Sequence, residues 1–137
     1  MNNQWPQSLP AVQFRIARPT TRLDEVVRFY HDGLGLEVIG SFKDHAGYSG
    51  VMLGLPGREY HLEFTTHAEG GPALAPTKDN LLVFYIPEAN AVRSLAERLN
   101  GMGYFEVEPE NPYWKEKGKT FEDPDGWRVV LMNTSGI

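Results

Sequence analysis

The sequence contains no cysteine, which excludes a disulfide framework, catalysis by a thiolate and a cysteine-based zinc finger. It also has no apolar run approaching about 18 residues, the length that a membrane-spanning helix requires. The N-terminal segment has neither the basic end nor the apolar stretch of a secretory signal. These absences predict a cytoplasmic protein that makes no use of a membrane.

Basic residues are in the minority, with 13 lysines and arginines against 18 aspartates and glutamates. They are scattered rather than gathered in a stripe, which argues against a nucleic acid as the partner. The formal net charge of −5 either concentrates a cationic ligand in a cleft or only keeps the protein in solution. The sequence has no Ser-His-Asp order of a nucleophilic hydrolase. It also has no phosphate-binding loop and no dinucleotide fingerprint, and no cofactor is expected.

The first half of the chain reads as a strand, a helix and three more strands. Residues 11–17 alternate as a strand, and apolar residues at helical spacing over 23–30 predict the helix. Thr21 is predicted to cap this helix and Gly33 to end it. The three predicted strands that follow cover residues 36–42, 50–55 and 59–66.

The second half repeats this pattern. A strand at residues 81–86 is followed by a helix that begins near Pro87 and ends at Gly101. The Gly-x-Gly signal after the first helix, at Gly33, recurs at Gly101, an offset of 68 residues (101 − 33). The three predicted strands that follow cover residues 104–108, 117–122 and 127–132.

We therefore predict an α+β fold with a single domain over residues 1–137, built from two tandem βαβββ modules. Module one covers about residues 11–66, a linker about 67–80, and module two about 81–133. The helices are predicted to lie on the outside of a curved mixed sheet that surrounds a central cup. A concave, partly polar surface of this kind is the expected place for a ligand.

Several short motifs resemble those of a known group, the vicinal oxygen chelate superfamily. This superfamily includes glyoxalase I, extradiol dioxygenases, fosfomycin-modifying enzymes and bleomycin-binding proteins. The similarity covers about residues 11–133, and the runs at 16–20 and 110–114 closely resemble an uncharacterised Bacillus branch. The motifs are Phe29-Tyr30, Gly33-Leu34-Gly35-Leu36, Tyr60-His61-Leu62-Glu63-Phe64 and Asp123-Pro124-Asp125-Gly126.

The resemblance also implies where a metal ion would bind, because metal-dependent members carry a His or Gln on the first strand and a Glu on the last strand of each module. In module one these positions correspond to Arg15, or to Gln13 if the following loop is longer, and to Glu63. Arginine has no lone pair to offer a cation. No metal is therefore expected, and if one is present Glu63 and Gln13 would hold it. The module-two positions are all aliphatic, namely Leu81, Leu82 or Val83 on the first strand and Val130 or Leu131 on the last.

Alternation along the strands places His61 and Glu63 on the concave face, and Arg15 on the same side. Arg15 and Glu63 form either a structural ion pair or a pair that orients a polar ligand, since a guanidinium suits a carboxylate or phosphate. His61 and Glu63 are alternatively the acid and base of a metal-free reaction. With His67 they make a trio spaced about 6–7 Å apart along one strand, which is wide for ligands of one ion.

A loop in module two carries exposed aromatic residues. Tyr113 and Trp114 either contact a ligand at the rim of the cup or cover the end of the core. Arg128 is the only charged residue in the apolar last strand. The complete set of predicted ligand contacts is Arg15, His61, Glu63, Tyr113, Trp114 and Arg128.

Two functions remain open from the sequence. The favoured one is a metal-free small-molecule binding protein, similar to the antibiotic-sequestering members of the superfamily. The alternative is a metal-dependent lyase or dioxygenase of the same superfamily with a degenerate metal site. The resemblance also implies a homodimer.

Overall fold

The structure is a computed structural model, and some predicted features lie outside the part of the chain that it describes. These are Glu59, the first residue of a predicted strand, and residues 72–73 of the predicted linker. The described residues are 6–55, 57–58, 60–71 and 74–136.

Module one consists of a strand, a helix and three further strands. They form one mixed sheet, in which the first strand runs parallel to the last and the other neighbours are antiparallel. The sheet order is β1-β4-β3-β2. The elements are β1 (Phe14–Pro19), α1 (Leu23–Val27), a π-helical turn (Arg28–Gly33), β2 (Glu37–His45), β3 (Tyr48–Gly54) and β4 (Tyr60–His67).

Module two repeats this topology, with the sheet order β5-β8-β7-β6. Its outer strand again runs parallel to its last strand. The predicted α+β fold of two βαβββ units is therefore confirmed. The elements are β5 (Leu81–Tyr85), α2 (Ala89–Gly101), β6 (Glu106–Val107), a 3-10 turn (Pro112–Trp114), β7 (Gly118–Glu122) and β8 (Arg128–Met132).

The start of the first helix differs from the prediction. β1 extends to Pro19, and the ladder continues beyond it because the backbone N–H of Thr20 donates to the carbonyl of Thr65 at 2.7 Å. The hydroxyl of Thr20 then accepts from the backbone N–H of Arg22 at 2.9 Å. The predicted cap at Thr21 is wrong, because the side chain one position earlier makes the turn into the helix.

The π-helical turn directs two consecutive aromatic side chains into the core. Its wider hydrogen bond runs from the N–H of Leu34 to the carbonyl of Phe29, at 3.0 Å. Phe29 meets Tyr104 edge-on with 4.9 Å between ring centroids, and Tyr30 stacks on Phe64 at 4.7 Å. The helix of module one thereby contacts both modules.

Alternation gives each sheet a helix face and an opposite face, which we call the concave face. In β4, Leu62 and Phe64 pack on the helix side, so His61 and Glu63 lie on the concave face. Because paired residues share a side, Arg15, the partner of His61 in the register, also lies there. The predicted orientation of these three residues is confirmed.

Strand β8 of module two is buried on both faces. Val129 and Leu131 pack against α2 as part of the core, while Val130 and Met132 lie on the concave face. All four are at most 5% exposed. A strand that is covered on both sides needs apolar residues throughout, which accounts for the uninterrupted run in the sequence.

The two modules pack closely where the first helix ends. Arg98 of α2 donates through Nε to the carbonyl of Gly33 at 2.8 Å. A Cβ atom at Gly33 would lie 2.8 Å from Cδ2 of Leu99, so this position has no room for a side chain. The glycine that ends the first helix is therefore also required by the packing of the second helix.

A buried polar cluster joins module one to the turn between β7 and β8. The hydroxyl of Tyr30 donates to Oδ2 of Asp123 at 2.7 Å. The other carboxylate oxygen accepts from the N–H groups of Asp125 and Trp127 at 2.8 and 3.0 Å. The guanidinium of Arg18 lies 3.7 Å from the centroid of the Trp127 ring. The carboxylate thus has three donors and a nearby cation.

Burial makes the stability contributed by Asp123 depend on pH. Desolvation raises the pKa of Asp123 above its ordinary 3.8 and raises that of Tyr30 well above 10.0. The native state then binds the Asp123 proton more tightly than the unfolded state, so this contribution is present at low pH and is lost as pH rises through the raised pKa. We expect the free energy of unfolding of the wild type, minus that of Asp123→Asn, to fall as pH rises through the raised pKa of Asp123. Urea unfolding at successive pH values measures this difference. A difference that does not change with pH would contradict the shift.

Within the described residues, no helix is long and apolar enough to cross a membrane.

Candidate functional site

Three polar side chains meet on the concave face of module one. Arg15 donates through Nε to Nε2 of His61 at 2.9 Å and through Nη1 to Oε2 of Glu63 at 3.1 Å. His61 and Glu63 are 6% and 9% exposed, whereas the Arg15 side chain is 44% exposed. The arginine therefore covers two buried partners and presents part of its guanidinium to the surface.

These contacts define the hydrogen-bonding roles of the two His61 nitrogens. Because a guanidinium only donates, Nε2 of His61 accepts, which leaves Nδ1 as the donor nitrogen of the ring. That Nδ1 is buried and has no hydrogen-bond partner among the described residues. An unmatched buried donor is costly, so it marks a place where a further acceptor would be stabilising.

The concave face continues into a cavity of about 450 Å³. Thr65 and His67, the next residues on this face of β4, line it together with Tyr48 of β3. His67 and Tyr48 meet edge-on, with 4.6 Å between ring centroids. The sequence predicts Tyr48 only as the tip of a flap over residues 41–50, because the register between β3 and β4 is what places it opposite His67.

Two glycines keep this face accessible. A Cβ atom at Gly50 would lie 2.6 Å from the ring of Phe42, and one at Gly40 would lie 2.8 Å from Cε of Met52. The longer side chains therefore lie flat across the strands. A larger residue at either position would push Phe42 or Met52 outward, over the polar set.

The chain itself covers the corresponding face of module two. The carbonyl oxygen of Trp114, at the end of the 3-10 turn, lies directly against Gly118 of β7. Beneath this segment, Thr120 is 1% exposed and Val130 is 0% exposed. Tyr113 points outward and is 68% exposed. The concave faces of the two modules are thus different surfaces, the first accessible and polar, the second filled.

Arg128 lies on this filled face and is 4% exposed. It donates through Nε to the Glu122 carboxylate at 3.0 Å and through Nη1 to the carbonyl of Glu108 at 2.8 Å. Gln13 is exposed and precedes β1. Of the predicted site residues, the structure brings together Arg15, His61 and Glu63, whereas Tyr113, Trp114 and Arg128 belong to module two.

Comparison with known sequences gives the family. The sequence model of the YycE-like N-terminal domain matches residues 14–65, and that of the YycE-like C-terminal domain matches residues 79–133. The chain belongs to the YycE-like family. It is 56% identical to the uncharacterised protein YycE of Bacillus subtilis strain 168 over 130 residues, which is 95% of this chain and 94% of that protein.

Solved structures agree with this assignment. The YycE-like chain matches the crystal structure of Bacillus subtilis YycE, a protein of unknown function, with a TM-score of 0.93 and 54% identity over 98% of both chains. A variant of the fosfomycin resistance protein FosX of Listeria monocytogenes, complexed with Mn(II), matches with a TM-score of 0.66 and 18% identity over 90% of this chain and 91% of that one. TnmS3, an antibiotic-binding protein from Streptomyces, matches with a TM-score of 0.62 and 18% identity over 95% and 100%. The resemblance to this superfamily and to its Bacillus branch is confirmed, and the two distant matches show the fold alone.

The donor set of the YycE-like chain does not fit the metal site that the superfamily implies. The last-strand positions of module two that were predicted to match Glu63, Val130 and Leu131, are aliphatic and at most 1% exposed. Neither side chain can ligate a cation. The Glu63 carboxylate is already paired with Arg15. Over the described ranges, no three His, Asp or Glu side chains are grouped as metal ligands.

Proposed function

We propose that this chain is a cytoplasmic, metal-independent binding protein for small molecules, with its ligand on the concave face of module one. The observation that carries the proposal is the contrast between the two modules. One concave face combines a polar set with an adjoining cavity, while the other is filled by the chain's own 3-10 segment. A single accessible concave face suits one ligand on that face.

The chemistry of the polar set favours a ligand that both accepts and donates hydrogen bonds. Arg15 is already neutralised by Glu63, so a simple anion would find little net positive charge there. A molecule with a carboxylate or carbonyl for Arg15 and an amine or hydroxyl for Glu63 would satisfy both partners. Tyr48 and His67 add aromatic surface at the edge of the cavity. A polar or zwitterionic antibiotic has these features, and TnmS3 shows that an antibiotic-binding protein uses this fold.

The alternative, a metal-dependent lyase or dioxygenase, has less support. Such an enzyme needs several donors around one ion, and module two carries the aliphatic Val130 or Leu131 at the position that corresponds to Glu63. The acid–base alternative would rely on His61 and Glu63, and both already bond to Arg15. The homodimer stays a prediction, which sedimentation velocity would test.

The proposal is tested by screening zwitterionic and polar antibiotics for thermal stabilisation, followed by titration calorimetry on any compound that binds. We expect Arg15→Met and Glu63→Gln each to weaken binding by roughly ten- to a hundredfold. Each substitution leaves a polar group of the ligand, or the remaining buried partner in the protein, without a hydrogen bond. Arg93→Met is the matched control, since Arg93 lies on exposed α2 and bonds to Asn90. Equal affinity in all three variants would place the ligand elsewhere.

Metal independence has its own measurement. After incubation with Mn²⁺, Fe²⁺, Ni²⁺ and Zn²⁺ and thorough desalting, elemental analysis is expected to find no stoichiometric ion, because the donors are too few. Ligand binding should also be unchanged by a chelator. One ion per chain that is lost in Glu63→Ala would contradict the proposal and favour the enzyme.

A further inference from the structure

A second cavity lies between the two modules. It separates β1 from β5, each of which is the outer strand of its own four-stranded sheet. Its volume is about 650 Å³, and its walls come from both modules, including the segment after the first helix and the middle of α2. Ile16 and Leu62 line it on one side, and Leu82, Phe84 and Leu95 on the other.

Ordinary packing does not explain a space of this size. Protein interiors are filled to a density of about 0.74 with few voids larger than a water molecule. The five side chains just named are only half-buried, although all of them except Ile16 pack against the core. Sites for small molecules are typically about 300–1,000 Å³ and mostly apolar, and this cavity falls within that range.

The lining contains one well-buried polar side chain, among the described residues. His61 borders the cavity and is 6% exposed, and its Nδ1–H is the donor that lacks a partner. Tyr60 and Tyr85 also line the cavity and are 61% and 47% exposed, which places them at its mouth. The interior therefore offers chiefly apolar contact.

We propose that this inter-module cavity binds a largely apolar small molecule. This site is separate from the one on the concave face, and its existence does not depend on that proposal. Burial of apolar ligand surface stabilises the complex by about 25 cal/mol per Å².

The test uses Prodan, a neutral naphthalene dye whose ketone oxygen is a hydrogen-bond acceptor and whose emission reports polarity. We expect saturable binding of one dye per chain with blue-shifted emission. Leu82→Phe and Leu95→Phe, which fill the cavity from two different elements, should each raise the Kd at least tenfold. Leu74→Phe is the control, because Leu74 is 75% exposed and is not part of the lining.

Circular dichroism establishes that each variant is folded, and having two filling variants keeps the test decisive if one of them does not fold. Absence of saturable binding to the wild type would overturn the proposal. So would binding that both filling variants retain. Binding that occurs only at protein concentrations where a second copy associates would assign the cavity to a subunit interface instead.

Discussion

Replacing Asp123 with alanine is expected to lower the free energy of unfolding by about 3–5 kcal/mol. The carboxylate is 4% exposed and accepts from the Tyr30 hydroxyl and from the N–H groups of Asp125 and Trp127. Its removal leaves three buried donors unmatched and takes away the counter-charge near Arg18. Urea unfolding followed by the fluorescence of Trp127 and its neighbours measures the loss.

Two further substitutions separate the causes. Asp123→Asn keeps an oxygen acceptor for the turn, so it should lower the free energy of unfolding clearly less than Asp123→Ala does. Asp32→Ala removes an exposed carboxylate that makes only a surface contact with His31, at 3.9 Å, and should change stability by less than about 0.5 kcal/mol. If Asp123→Ala proves no more destabilising than Asp32→Ala, the cluster does not hold the modules together.

Gly118→Ala is expected to destabilise the protein by about 1–3 kcal/mol and to lift the 3-10 segment from module two. A Cβ atom there would meet the carbonyl of Trp114, and it would lie 3.1 Å from Sδ of Met132 and 3.2 Å from Cγ1 of Val130. The first of these neighbours is backbone, so it cannot move aside without displacing the segment. Hydrogen exchange over residues 109–117 should become faster.

Gly101→Ala provides the matched control, with an opposite expected sign. A Cβ atom at Gly101, the last residue of α2, would have no neighbour within 4 Å. Alanine favours the helix over glycine by about 0.5–1 kcal/mol, so this variant should be neutral or slightly more stable. Slow exchange over residues 109–117 in Gly118→Ala would show that the segment does not rest on that glycine.

These two variants also bear on how the modules came to differ. The tandem topology alone would allow a ligand to lie between two equivalent concave faces, as the cup predicted from the sequence implies. In this chain Trp114 and its neighbours occupy one of those faces, and Arg15 crosses the other. If Gly118→Ala opens module two without changing ligand binding, that result would support a site built by module one alone.

The sequence was sufficient for the topology and for the direction of the key side chains. Alternation in β4 puts Leu62 and Phe64 on one side and His61 and Glu63 on the other, and this depends only on the two-residue period of a strand. The helical spacing and the repeated Gly-x-Gly signal likewise depend on local geometry, so both modules were predicted from them. Element ends were less accurate, since the turn at Thr20 is decided by its bond to Arg22.

Arg15 with Glu63 could be proposed as a pair from the sequence, because strand direction alone brought them to one face. The acceptor role of Nε2 of His61 could not, since it follows from a 2.9 Å contact with Arg15 that only the folded register creates. In the same way, the filling of module two by Trp114 and the gap between β1 and β5 depend on how distant segments pack. Local periodicity determined the modules and their faces, whereas long-range packing decided which face stays accessible and where space is left for a ligand.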